Sequence, residues 1–180
     1  MWPVSFGAMH SSLAVPPLLA TFYLVMGGLI TVADHKSVSD PATQAALLRA
    51  CSPSFVALSF AALALLLQLS AYLYSQGYEY SQILALLSCA ATANYLVFDG
   101  TRQGLMLAFV CGVGAPAAEL ALLQIWPLWH YSRPDLFGFV SWVPACYFFY
   151  TPALTNLARY LAWGGTEVQG TAETRPPGRT

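Results

Sequence analysis

Glu119 is the only charged residue between Gln103 and Ser132, inside a long apolar stretch. An acid in such a setting is costly, so it marks a proton relay, a ligand contact or a hydrogen-bonded structural site. Read as helix, it lies 15 residues past Gly104, about 22 Å along the axis. That depth is the outer half of a span rather than its centre. The histidines, His10, His35 and His130, fall near the ends of apolar segments and form no HxxxH or HExxH pattern, so the sequence carries no metal motif. Cys51, Cys89, Cys111 and Cys146 have no CxxC spacing and read as small apolar residues. No catalytic residue is assigned. The one available acid–base set is Glu119 with His130 or His10, which would suit a membrane-embedded lipid isomerase or hydratase.

Gln68 and Gln82 are uncharged amides within or at the ends of apolar runs. A buried amide needs partners, either on a neighbouring helix or on a ligand hydroxyl. Asp99 and Arg102 sit in Phe98-Asp-Gly-Thr-Arg-Gln-Gly104. This reads as a tight connection with a local ion pair worth at most about 1 kcal/mol, or as a docking point for a partner.

The elements that position these residues follow from composition. Only 8 % of the 180 residues are charged and 57 % are hydrophobic, against roughly 25 % charged in a soluble domain. So few charges cannot cover a soluble surface. A net charge of -1 leaves no basic excess for nucleic acid, and the chain is too apolar to be disordered. The remaining class is an integral membrane protein.

Charges cluster, and the gaps between clusters have spanning length. A helix across a ~30 Å hydrocarbon core needs about 20 apolar residues. Five spans are expected, at about 12–33, 53–75, 80–98, 104–129 and 138–161. Backbone in lipid must bond internally, so these are helices, and the fold class is an all-α polytopic bundle. Asp40-Pro41 and Ser52-Pro53 pair a capping residue with proline, the signature of a helix start; residues 41–50 form a short helix between the first two spans. Prolines 16, 17, 116, 144 and 152 fall in apolar segments, where they bend helices and open gaps between them.

With five spans, Lys36, Arg49, Arg102, Arg159, Arg175 and Arg179 share one side, and Arg133 lies on the other. The positive-inside rule makes the first side cytoplasmic, C-terminus included. Trp126 and Trp129 would form an aromatic belt at the opposite face. Residues 1–163 read as one transmembrane domain and 164–180, rich in Gly, Thr, Pro and charge, as a disordered tail. Gly27-Gly28 and Gly112-Val-Gly-Ala115 would permit close helix contacts, including those of a homo-oligomer.

Several segments together resemble the Insig (insulin-induced gene) family. Leu96-Val-Phe-Asp-Gly-Thr-Arg-Gln-Gly104 looks like its aromatic-Phe-Asp-x-(Ser/Thr)-Arg-x-Gly loop. Tyr131-Ser-Arg-Pro-Asp-Leu136 follows in the family order. Ser141-Trp-Val-Pro-Ala-Cys-Tyr-Phe-Phe149 is similar to the family's Ser-Trp-Leu-Pro-Cys-x-Phe-Phe segment. Asn156-Leu-Ala-Arg-Tyr-Leu161 resembles its Gly-Asn-Ile-Gly-Arg-x-Leu ending, and Val15-Pro-Pro17 its Trp-Trp-Val-Pro-Pro. The family has six spans; this chain matches five and begins where the loop before the second lies.

The resemblance implies a non-enzymatic regulator without a cofactor, one that holds a sterol or diacylglycerol between its helices. It would govern sterol and lipid homeostasis through a sterol-sensing membrane partner, in the endoplasmic reticulum of a eukaryote or the plasma membrane of a bacterium. By alignment with the family, Gln82 would bond the lipid's head. Tyr95, Leu65, Phe22 and Pro17 would lie at its cavity, and Asp99 with Arg102 would meet the partner. Tyr95 stands where the family has tryptophan, Leu65 where it has phenylalanine, and Leu18-Leu19 where it has a cysteine pair.

Overall fold

A computed structural model of the chain describes residues 3–6, 9–12, 15–125, 131 and 133–173, with side chains from 16 to 125, at 131 and from 133 to 164. Two short strands, β1 (Pro3–Phe6) and β2 (Met9–Ser12), pair antiparallel ahead of six helices. These are α1 (Val15–Lys36), α2 (Pro41–Ala50), α3 (Pro53–Ser75), α4 (Tyr80–Phe98), α5 (Arg102–Ile125) and α6 (Val143–Glu173). The architecture is the expected all-α bundle. Four helices, α1, α3, α4 and α5, are long and apolar enough to cross a membrane, as in a multi-pass membrane protein.

The helix starts follow local chemistry. Asp40 caps α2, its carboxylate accepting from the Thr43 backbone N–H and hydroxyl at 3.1 Å each, with Pro41 at the first helical position where no N–H is needed. Ser52 is extended before Pro53, but its hydroxyl bonds the Ser54 hydroxyl instead of capping α3. Pro16, Pro17 and Pro144 lie in the first turns of α1 and α6; Pro116 and Pro152 lie inside α5 and α6.

The fifth expected span corresponds to α6, which is not among the four apolar helices. The reason is its place in the bundle. α6 is the central helix, packed against α1, α2, α3, α4 and α5, and none of its residues from Val143 to Tyr160 is exposed. A helix surrounded by protein need not be apolar towards lipid, so α6 carries Thr151, Thr155, Asn156 and Arg159, all buried. It starts later than expected because residues 136–139 close a tight turn, with Phe137 at φ 50° and Gly138 at φ 85°. Asp135 then accepts from the Ser141 backbone N–H and hydroxyl. The helix also runs past 164 to Glu173, where a disordered tail was expected. Glycine in a helix costs only about 1 kcal/mol, and the first strong breakers beyond it are Pro176 and Pro177.

The three hydrophobic clusters all pack on α6. One joins Ile83 and Leu87 of α4 to Val143 and Ala145. One places Met26 and Ile30 of α1 against Leu107 and Cys111 of α5, with Ala158 alongside. The third sets Leu63 and Ala91 on Phe149 and Ala153. Gly27 and Gly112 serve the same packing, while Gly28 and Gly114 have open space around them. A Cβ on Gly112 would meet the Pro144 carbonyl at 3.3 Å, and one on Gly27 would meet the Ala158 Cβ at 3.5 Å.

Candidate functional site

At one end of the bundle three charges point inward. Arg159 of α6 donates from Nε to Asp34 Oδ2 of α1 at 2.7 Å, and its Nη1 lies 3.3 Å from Asp99 Oδ2. Asp99 also accepts from Thr101 Oγ1 at 2.5 Å and Thr155 Oγ1 at 2.9 Å. Gln103 Nε2 bridges Asp34 Oδ1 at 2.7 Å and Thr43 Oγ1 at 2.8 Å. Tyr95 donates its hydroxyl to the Thr101 carbonyl, and Asn156 donates to the Phe98 carbonyl. The outer rim is held by Arg49, whose guanidinium donates to the carbonyls of Val97 and Asp99. One network therefore ties α1, α2, α5 and α6 to the 99–101 loop.

Two carboxylates and one guanidinium in a buried site are tolerable only when densely hydrogen-bonded. The loop is shaped to supply those bonds. Gly100 takes φ 74°, a left-handed conformation that favours glycine. Gly104 faces the Asp99 carboxylate so closely that a Cβ there would collide with it. Asp99 is thus paired with Arg159 and not with Arg102, correcting the expected local ion pair. Arg102 is exposed on the outside of α5. Asp34 and Arg159, read from sequence as boundary charges, have no exposed side-chain surface.

Beside this network runs an apolar groove of about 580 Å³ between α4, α5 and α6. Tyr95, Leu96, Phe109, Val113 and Phe148 line it, with the hydroxyls of Ser88 and Thr92 on one wall. Thr92 spends its donor on the Ser88 carbonyl at 2.9 Å, which leaves Ser88 as the wall's available hydroxyl donor.

A second, smaller cavity of about 290 Å³ lies on the other side of α6, between α1, α3 and α6. Behind it Glu119 is buried. Its Oε1 accepts from the Tyr131 hydroxyl at 2.6 Å and its Oε2 from the Tyr147 hydroxyl at 2.9 Å. Glu119 is thus hydrogen-bonded by two tyrosines of the cavity wall.

The five residues expected at a ligand do not share one cavity. Tyr95 lines the α4–α5–α6 groove and Phe22 the α1–α3–α6 cavity. Gln82 is exposed on α4, Leu65 is 72 % exposed on α3, and Pro17 is exposed in the first turn of α1. None of these three lines either cavity. The pairing of Glu119 with His130 or His10, and the belt of Trp126 and Trp129, fall outside the described side chains. Among the described residues no three His, Cys, Asp or Glu side chains converge as a metal site. Sequence reasoning missed Asp34, Gln103, Thr155 and Arg159 as members of one cluster. The available signal was that Arg159 falls inside the expected span 138–161, while Asp34 falls just past the end of 12–33.

No family model, curated protein or solved structure matches the chain.

Proposed function

We propose that this chain is an Insig-like, non-enzymatic membrane regulator that holds a sterol or diacylglycerol between its helices and acts through a membrane partner. The observation that carries the reading is the groove of about 580 Å³ beside Tyr95, within the range of sites that hold small apolar ligands. It is lined mainly by apolar and aromatic side chains, with Ser88 as a polar contact for a hydroxyl or ester head. A lipid entering it leaves bilayer and not water, so transfer out of water contributes little. Selectivity rests on packing and on the polar head contact, as in helix association within membranes.

On this reading the Asp99 network is the frame that holds the 99–101 loop, and exposed Arg102 beside it is the residue able to touch a partner directly. Lys36, Arg49 and Arg102 lie at the Asp99 end and Arg133 at the other, which favours a cytoplasmic Asp99 end and C-terminus. The compartment is the endoplasmic reticulum in a eukaryote or the plasma membrane in a bacterium. Photoactivatable sterol and diacylglycerol probes test the reading. Saturable labelling by one of them, mapped to α4, α5 or α6, is expected; no saturable labelling by either contradicts it.

A further inference from the structure

The α1–α3–α6 cavity is separate from the groove, and its lining has a distinct chemistry. Six of its eleven lining residues are aromatic: Phe22, Tyr23, Tyr131, Trp142, Tyr147 and Tyr150. No charged side chain is among the eleven. Four of the rings form a continuous set, with centroids 5.6 Å apart for Phe22 and Tyr23, 6.5 Å for Phe22 and Tyr147, and 6.2 Å for Tyr147 and Tyr150. Tyr131 and Tyr147 spend their hydroxyls on Glu119, which does not line the cavity. They therefore offer it ring surface rather than O–H, and donation to a carboxylate enriches those rings in electron density. Such rings attract an organic cation, most strongly where water is excluded.

A second observation points to a ligand. Trp142 is only 9 % exposed, and its Nε1–H has no hydrogen-bond partner among the described residues. A buried indole N–H without an acceptor is costly, and an oxygen of a bound molecule in the cavity would supply one. The volume, about 290 Å³, suits a headgroup rather than a whole lipid. The mouth is formed by Leu19, Tyr23 and Leu67, each between 37 and 40 % exposed.

We propose that this cavity is an aromatic cage for a quaternary ammonium group carrying a nearby oxygen, with the cation among the rings and the oxygen on Trp142 Nε1–H. The shared chemistry is that of choline, which could arrive as a phospholipid headgroup or as the free cation. The site does not depend on the lipid-groove reading.

The test uses the full chain purified in a maltoside detergent and reconstituted in nanodiscs. Probes are phosphatidylcholine, the same lipid with 3,3-dimethylbutyl in place of choline (which keeps the shape and phosphate but lacks the cation), phosphatidylglycerol as a second lipid anion, free choline, and its uncharged isostere 3,3-dimethylbutanol. Retention is read by native mass spectrometry, and affinity for soluble probes by titration calorimetry. Phosphatidylcholine or choline should bind saturably and at least about tenfold more tightly than its own cation-free isostere, while phosphatidylglycerol binds no better than the dimethylbutyl lipid. Saturable binding of free choline assigns the aqueous source; binding of phosphatidylcholine alone assigns the lipid. Tyr23 is at the mouth, where substitution leaves the core intact. Tyr23→Leu should weaken binding about tenfold, while Tyr23→Phe, which keeps the ring, should not. Ser88→Phe, in the other groove, should leave cation binding unchanged. Equal binding of the forms with and without the quaternary ammonium, or no effect of Tyr23→Leu, overturns the proposal.

Discussion

Arg159 and Asp34 stand 125 residues apart in the chain, yet Nε of one lies 2.7 Å from Oδ2 of the other, and neither side chain has exposed surface. This pair fastens the first helix to the last. Removing one partner of a buried ion pair leaves the other charge without compensation, at a cost of about 3–5 kcal/mol. Arg159→Met is expected to destabilise the protein by that amount in unfolding titrations with denaturing detergent. Arg159→Lys should recover little, because one ammonium cannot span both Asp34 and Asp99 as the planar guanidinium does.

Gly104 has no room for a side chain, since a Cβ would enter the Asp99 carboxylate. Gly104→Ala should cost about 1–3 kcal/mol through forced displacement. Gly114, on the same helix with nothing within 4 Å of a Cβ, is the control. Gly114→Ala should be neutral or stabilising by up to about 1 kcal/mol, in the same detergent titration.

Asp99 and Arg102 should separate in their effects. Asp99 is buried and bonded to Arg159, Thr101 and Thr155. Asp99→Ala is therefore expected to lower thermal stability in detergent markedly, and any loss of a partner follows from the disturbed loop. Arg102 is exposed. Arg102→Ala should keep the melting temperature while weakening co-purification of a partner. An Asp99→Ala protein as stable as the parent would refute this assignment.

Glu119 depends on tyrosine donors. Tyr147→Phe keeps the ring and removes the hydrogen bond to Oε2, leaving a buried carboxylate short of a donor. About 1–3 kcal/mol of stability should be lost. Tyr150→Phe, on the same helix and without a hydrogen-bond partner among the described residues, should cost less than half as much in the same assay.

The helices were legible where the information is local. Asp40-Pro41 and Ser52-Pro53 mark the starts of α2 and α3, and the charge-free runs give α3 and α4 with their observed ends. The site was not legible, because it depends on which way a charge faces. Asp34 and Arg159 read as boundary residues, since nothing near them in sequence places a partner opposite. The central position of α6 was hidden for the same reason. Its polar residues lower its hydropathy, and only the packed bundle makes them interior. Glu119 was recognisable as exceptional, but nothing in the segments 131–136 and 141–149, which hold its donors Tyr131 and Tyr147, points to an acid on another helix.

If the α4–α5–α6 groove is the lipid site, filling it abolishes binding. Ser88 lies on its wall with an exposed side chain, so Ser88→Phe occupies the space without entering the core. Competitive photolabelling with sterol and diacylglycerol probes is then compared between the parent and the variant at equal folded concentration. Saturable labelling of the parent at α4, α5 or α6 residues is expected, reduced about tenfold or more in Ser88→Phe. Labelling unchanged by Ser88→Phe, or absent from the parent with both probes, would contradict this reading of the groove.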